Sequence, residues 1–207
     1  MKYEWRKQDK ALYGAKKYPA LITIPAQNYI MISGKGNPND VDFSNRVGAL
    51  YSLAYAVKSS YKAVSLQEEI HDFAVYPLEG IWTKNGDYLD KAKLEYTIMI
   101  RQPDFISEEM VNKALGMVRI KKPNPLLEEI HFETMQNGLC VEVLHVGAFD
   151  DEPVSFEKMD QFSAAHGLRR SENYHREIYL SNANRVEKSK LKTILRYSVE
   201  QIPVGSV

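Results

Sequence analysis

One carboxylate in this chain stands in a setting suited to chemistry. Tyr174-His175-Arg176-Glu177-Ile178-Tyr179-Leu180 reads as a strand. Side chains alternate between the two faces of a strand. His175, Glu177 and Tyr179 therefore share one face, and Arg176, Ile178 and Leu180 share the other. A carboxylate between two ring side chains can face a ligand cation or activate a water. The same alternation also describes a solvated face carrying an ordinary surface acid, and periodicity alone favours that plainer reading.

The other chemistry-bearing residues are aromatic. Tyr51 and Tyr55 lie four apart on one helix stripe beside Leu50 and Ala54, placed to line a pocket or to roof a sheet. Tyr96 shares its strand face with Ile98, which favours a core position. Trp82 follows Leu78-Glu79-Gly80-Ile81 at a strand end, where an aromatic serves recognition or plugs an edge. The five histidines are dispersed without the i, i+4 pairing of a helical metal site, so neither a metal nor any other cofactor is expected. Gly34-Lys35-Gly36-Asn37 lacks the full phosphate-loop pattern and reads as a turn. There is no GxSxG elbow, and Cys140 sits mid-strand with no activating histidine beside it.

Composition bounds the partners. The 207 residues carry 27 Lys+Arg against 27 Asp+Glu, so the basic footprint of a duplex nucleic-acid binder is missing. Nothing attracts the chain to an anionic membrane surface, and no apolar run approaches the roughly 20 residues of a membrane span. The lone cysteine permits no internal disulfide and suits a reducing compartment. MKYEWRKQDK has no apolar stretch of the secretory kind, so a cytoplasmic location is expected. Tyrosines outnumber phenylalanines, 13 to 7, which suits half-wet pockets as well as strands.

The elements that must position these residues read as a duplication. Polar Tyr3–Lys17 is a short helix or arm. Strands are expected at Ala20–Ile24 and Asn28–Ser33, a helix at Val41–Tyr61 behind the caps Asn39 and Asp40, and strands at Asp72–Leu78 and Lys93–Arg101. The last two form a hairpin with a long loop and a turn at Asn85–Gly86. Ser107–Ile120 is a connecting helix capped by Ser107, with Glu108 and Glu109 in its first turn. The order then repeats. Strands at Glu129–Met135 and Leu139–Val146 flank the turn Gln136-Asn137-Gly138. A helix opened by Asp150, Asp151 and Pro153 closes at Gly167, with Phe156, Met159, Phe162 and Ala165 on its stripe. Strands at Tyr174–Leu180 and Leu191–Val199 finish it.

Tyr29–Phe43 parallels Cys140–Phe156: a strand, a glycine (Gly36, Gly147), an acidic cap, and a helix with an early Phe. Tyr-Leu and Lys-Leu landmarks follow in both halves. The expected fold is therefore α+β, a single domain over residues 1–207. Two strand–helix–strand–strand units, at about 20–105 and 129–200, are joined by the helix at about 107–120. Their antiparallel sheet carries helices on one face, and a ligand groove lies at the pseudo-twofold seam.

NYIMISGKGNP, PLEGIW, KLEYTIMIRQPDFI and LHVGAFDDEPVSF…HREIYLSN…LKTILRYSV together resemble the GyrI-like small-molecule-binding family from about Pro19 to Val199. That family includes gyrase-inhibitor-like proteins and effector domains of multidrug-sensing regulators. The resemblance implies a tandem duplicated unit whose central groove takes bulky, planar, often cationic compounds between aromatic rings around a buried glutamate. Glu177 matches that glutamate. Tyr179, Tyr51, Tyr55, Trp82, Tyr96 and Tyr197 are the candidate lining, although the resemblance does not match the aromatics one by one. No helix-turn-helix segment precedes residue 20, so a stand-alone monomer or weak dimer is expected. The first expected function is binding of hydrophobic or cationic aromatic molecules, as drug or toxin protection. The alternative is hydrolysis, because some stand-alone relatives resemble hydrolases that open the cyclopropane of DNA-alkylating natural products, with Glu177 activating water. Inhibition of a partner enzyme ranks third, since a neutral chain offers no obvious handle for one.

Overall fold

The computed structural model describes residues 1–83 and 93–203; the turn expected at Asn85–Gly86 lies outside the described residues. In chain order the elements begin with β1 (Lys2–Tyr3), α1 (Trp5–Gln8), α2 (Lys10–Tyr13), β2 (Ala20–Ile24), β3 (Gln27–Lys35) and α3 (Val41–Val64). Next come β4 (Asp72–Phe73), β5 (Leu78–Thr83), β6 (Glu95–Gln102), α4 (Glu108–Lys121) and β7 (His131–Met135). The chain ends with β8 (Gly138–Val146), α5 (Glu152–Ala165), β9 (Leu168–Arg170), β10 (Tyr174–Tyr179) and β11 (Lys192–Gln201). Helices and antiparallel sheet make this an α+β fold. Among the described residues no helix is long and apolar enough to cross a membrane.

The chain divides into two compact units. One takes Met1–Lys10, Gln27–Gly80 and residues 93–135; the other takes Ala11–Ala26 and residues 81–83 and 136–203. In the first, β3 lies between β6 and β7, antiparallel to both. Ile30, Ile32 and Gly34 face the same way as their cross-strand partners Ile100, Ile98 and Tyr96. α3 covers that face with Leu50, Leu53, Ala54 and Val57, all fully buried, and α4 packs on α3. α4 starts at the Ser107 cap, whose hydroxyl accepts the Met110 amide hydrogen bond at 3.3 Å.

Gly34 is where Tyr96 comes closest to the backbone. A Cβ at Gly34 would run into the Tyr96 ring, which is itself held edge-on against Phe43 at 5.0 Å. The ring is also buried, at 4% exposure. Gly34→Ala is expected to destabilise the first unit by about 1–3 kcal/mol, read by urea denaturation. Adding Tyr96→Leu should recover part of that loss, because it removes the colliding atoms.

Two features differ from the sequence expectation. The strand expected at Asp72–Leu78 is split. Only β4 pairs there, and it pairs in parallel with β1 of the N-terminal arm. The arm also takes the next residues: the Ala74 amide donates to the Tyr3 carbonyl at 2.8 Å, and the Trp5 indole donates to the Val75 carbonyl at 3.0 Å. Pro77 then removes a ladder donor before β5 begins. The arm is thus ordered, with Trp5 buried and stacked on Tyr76.

The second difference is a strand exchange. β2 pairs with β8, and β7 pairs with β3. The first strand of each half therefore sits beside the long strand of the other half, and neither repeat builds its sheet alone. Only two residues separate β2 from β3 and β7 from β8. A two-residue hairpin needs positive φ in its loop. Among the described residues only Gly36, Gly138, Gly147 and Gly167 have it, so neither link folds back.

In the second unit the strand order is β2-β8-β11-β10, with β9 on the far end of β11. One face carries Val141, Val143, Leu195, Tyr197 and Val199 against Met159 of α5. The opposite face buries Ile178 and Ile194 with an ion pair, Arg196 to Glu142 at 2.6 Å. Arg196 also donates to the Leu12 carbonyl at 2.7 Å, which fixes α2 to the sheet.

Candidate functional site

The register of β10 against β11 decides where Glu177 points. Glu177 opposes Leu195 and Tyr179 opposes Thr193. Leu195 belongs to the cluster under α5. His175, Glu177 and Tyr179 therefore face the helix side of the sheet, and the solvated-face reading fails. The Glu177 side chain is only 12% exposed.

Both Glu177 oxygens are held. His175 Nε2 lies 2.9 Å from Oε1, and the Tyr179 hydroxyl donates to Oε2 at 2.8 Å. The Trp82 indole N–H in turn donates to the Tyr179 oxygen at 2.9 Å. A relay runs from Trp82 through Tyr179 to the carboxylate. Burial, followed by the charges of Glu177 and Glu152, holds the Tyr179 phenol well above its usual range. The phenol therefore keeps its proton and remains a donor.

A second carboxyl lies against the first. Glu152 stands in the first turn of α5, 6% exposed, and Glu177 is the charged neighbour that acts on it most strongly. Burial, and after it the Glu177 charge, holds Glu152 well above the usual carboxylate range. A buried carboxyl beside a like charge ionises only at a cost, so Glu152 keeps its proton. A helix N-terminus favours an acid there, but burial and a like charge outweigh the dipole.

The turn into α5 is built to hold Glu152 in place. Gly147, at φ 148°, leads the chain out of β8 in a conformation that favours glycine. His145 then pins the turn from two sides. Its Nε2 lies 2.9 Å from the Ala148 carbonyl and its Nδ1 lies 2.9 Å from the Ser155 hydroxyl. A carbonyl only accepts, so Nε2 carries the hydrogen. Rings surround the acids: Phe149 stands edge-on to Tyr179 at 5.8 Å, and Phe156 edge-on to His175 at 4.6 Å. Phe149 remains 42% exposed.

Of the residues singled out from sequence, the structure brings together Glu177, Tyr179 and Trp82. Tyr197 lies on the same sheet face but is committed to α5. It donates to Asp160 at 2.9 Å, lies 3.0 Å from the Ser163 hydroxyl, and sits under Arg170 at 4.0 Å. Burial, with Asp160 adding to it, pushes its phenol up to about 12. Tyr51, Tyr55 and Tyr96 belong to the first unit. Tyr96 is core, Tyr51 is half-buried, and Tyr55 is exposed with its ring 6.2 Å from that of Tyr51. Among the described residues no group of three or more His, Cys, Asp or Glu is placed to hold a metal.

Glu152 and Phe149 were missed. Asp150, Asp151 and Pro153 read as the helix opening, yet the stripe of Phe156 and Met159, extended back four residues from Phe156, lands on Glu152. That periodicity was the available signal.

Known proteins fit this arrangement. A protein described as a hydrolase from Listeria innocua superposes with a TM-score of 0.88 at 34% identity, covering 97% of this chain and 100% of its own. An uncharacterised conserved protein from the same organism matches at 34% identity and TM-score 0.88, over 96% of this chain and all of its own. The C-terminal domain of EcmrR shares the fold at 14% identity and TM-score 0.54, over 88% of this chain and 97% of its own. No curated protein matches the chain. The GyrI-like small molecule binding domain matches residues 18–198, and the chain belongs to the GyrI-like family of small-molecule-binding proteins.

Proposed function

We propose that this protein binds a bulky, hydrophobic aromatic molecule beside Glu177 and adds water to a strained electrophilic carbon of that molecule. The observation that carries the reading is the setting of Glu177: a carboxylate fixed by His175 and Tyr179, with Glu152 beside it. Its charge is already compensated by protein donors, so a ligand cation is not needed to stabilise it. What remains is an oriented base under a ring of aromatics. The hydrolase from Listeria innocua, at 34% identity over nearly the whole chain, points the same way.

For a cyclopropane conjugated to a carbonyl, the step balances without a cofactor. Glu177 takes a proton from water as its oxygen bonds to the ring methylene. The strained carbon–carbon bond breaks, and its electron pair moves to the conjugated carbonyl oxygen. One proton returns to that oxygen, giving a hydrated, aromatised product. Ring strain supplies part of the driving force, so one positioned base is enough.

A second reading, binding alone, is favoured by one feature: a net negative charge among Trp82, Tyr179 and Phe149 also suits a flat cation. One experiment separates the two. In a Trp5→Phe background Trp82 is the sole tryptophan, and its emission should be quenched as a planar cyclopropane-bearing alkylator binds. Mass spectrometry of the same mixture should show the compound plus one water, formed faster than in buffer. Quenching with intact compound recovered would leave binding as the function. A cytoplasmic setting is part of the proposal, because the target of such alkylators is DNA.

A further inference from the structure

We propose that Glu152 is the positioning residue of this site: its carboxyl holds the proton that lies between it and Glu177, fixing Glu177 with one charge, one orientation and a free lone pair for water. This rests on the hydrolase reading for its role in turnover; the buried, unpartnered acid at the start of α5 does not.

Three observations carry it. Glu152 is 6% exposed, on the buried stripe of α5, where a helix ordinarily presents an apolar residue. Its Oε1 is buried and has no hydrogen-bond partner among the described residues, although unpartnered buried oxygens are costly. A residue kept only for stability would be apolar here. Its strongest like-charged neighbour is Glu177, the one carboxylate that β10 turns towards the helix. The groups facing it are the carboxylates of Glu177 on β10 and Asp150 in the preceding turn, with the protonated phenol of Tyr179 beside them. His175 reaches a Glu177 oxygen and His145 is occupied by Ala148 and Ser155, so neither histidine serves Glu152 as a cationic partner. A proton between the two acids is the remaining compensation.

The consequence for the reaction is a base that stays singly charged across neutral pH. When Glu177 accepts the proton from water, the pair holds two. One of them leaves for the product oxygen, and the starting state returns.

The test uses the intact chain. With ¹³C-labelled glutamate, carboxyl NMR of the wild type should show one signal titrating above the ordinary carboxylate range of about 3–6. Glu152→Gln, which keeps a hydrogen-bond donor to Glu177, should lose that signal. Thermal stability gives a second reading. An acid held higher in the folded state binds more protons there than when unfolded, so stability falls as pH rises from the ordinary carboxylate range towards the raised value. Glu152→Gln should flatten that fall. In turnover, Glu152→Gln should lower kcat, leave KM for the alkylator nearly unchanged, and lose the upper inflection of the pH–rate profile. If every wild-type carboxyl titrates in the ordinary range, the dyad is wrong. It is equally wrong if the Glu152→Gln profile superimposes on a wild type that Glu177→Gln inactivates. A high-titrating signal in a protein that turns over no electrophile supports the dyad and defeats the hydrolase reading.

Discussion

Glu177→Gln is expected to lower kcat/KM for a cyclopropane-bearing alkylator by about 10²- to 10⁴-fold, the contribution of a positioned base. Glutamine has the same size and can still accept the Tyr179 hydrogen bond at the site of Oε2. It cannot take a proton from water. Binding of a neutral aromatic, read by Trp82 emission, should change little, because the rings of Tyr179, Trp82 and Phe149 are untouched. The folded chain should not suffer either, since the substitution removes the charge that presses most strongly on buried Glu152. Loss of turnover together with equal loss of neutral-ligand binding would show instead that Glu177 holds the pocket's shape.

The second large effect lies on the other face of the same sheet. Arg196 is 3% exposed and donates twice to Glu142, at 3.0 and 2.6 Å, and once to the Leu12 carbonyl. Arg196→Met is expected to cost about 3–5 kcal/mol, because it leaves a buried carboxylate with no cation. For a chain of this size that is a fall in Tm of roughly 6–20 °C. Emission from Trp82 in the Trp5→Phe background reads the transition in the second unit. The double change Glu142→Gln with Arg196→Met should recover most of the loss, since the ion pair itself adds little once both charges are gone. No recovery would mean that the contact to Leu12, and so the docking of α2, carries the stability.

These two residues also show what the sequence could tell. The faces of β10 and β11 follow from alternation, and so Glu177, Tyr179 and His175 fall together. The α5 stripe is legible from Phe156 and Met159. Ser107 is legible as a cap because a hydroxyl, two acids and an apolar run follow in order. Alternation could not say which face is covered. That is decided by register against Leu195 and by α5, both remote in sequence. Strand exchange was hidden for a similar reason. Pro25-Ala26 and Gln136-Asn137 look like short turns, and only their backbone angles show the chain running on. Glu152 was hidden because a helix-capping acid and a buried acid have the same letters. The difference is one turn of helix and a neighbour 25 residues away in the chain. The N-terminal arm was read as polar and peripheral, since Trp5 gains its burial only from Tyr76 and Val75.

The account turns on water being activated by Glu177, and a single-turnover reaction in heavy-oxygen water tests that most directly. With enzyme in excess over the alkylator, a base mechanism places the solvent's heavy oxygen in the product on the first turnover. That is the predicted result. If the first-turnover product carries ordinary oxygen, the oxygen came from a carboxylate of the protein, and Glu177 or Glu152 is a nucleophile rather than a base and its partner. If no hydrated product forms although Trp82 reports a bound compound, the hydrolase account is contradicted outright.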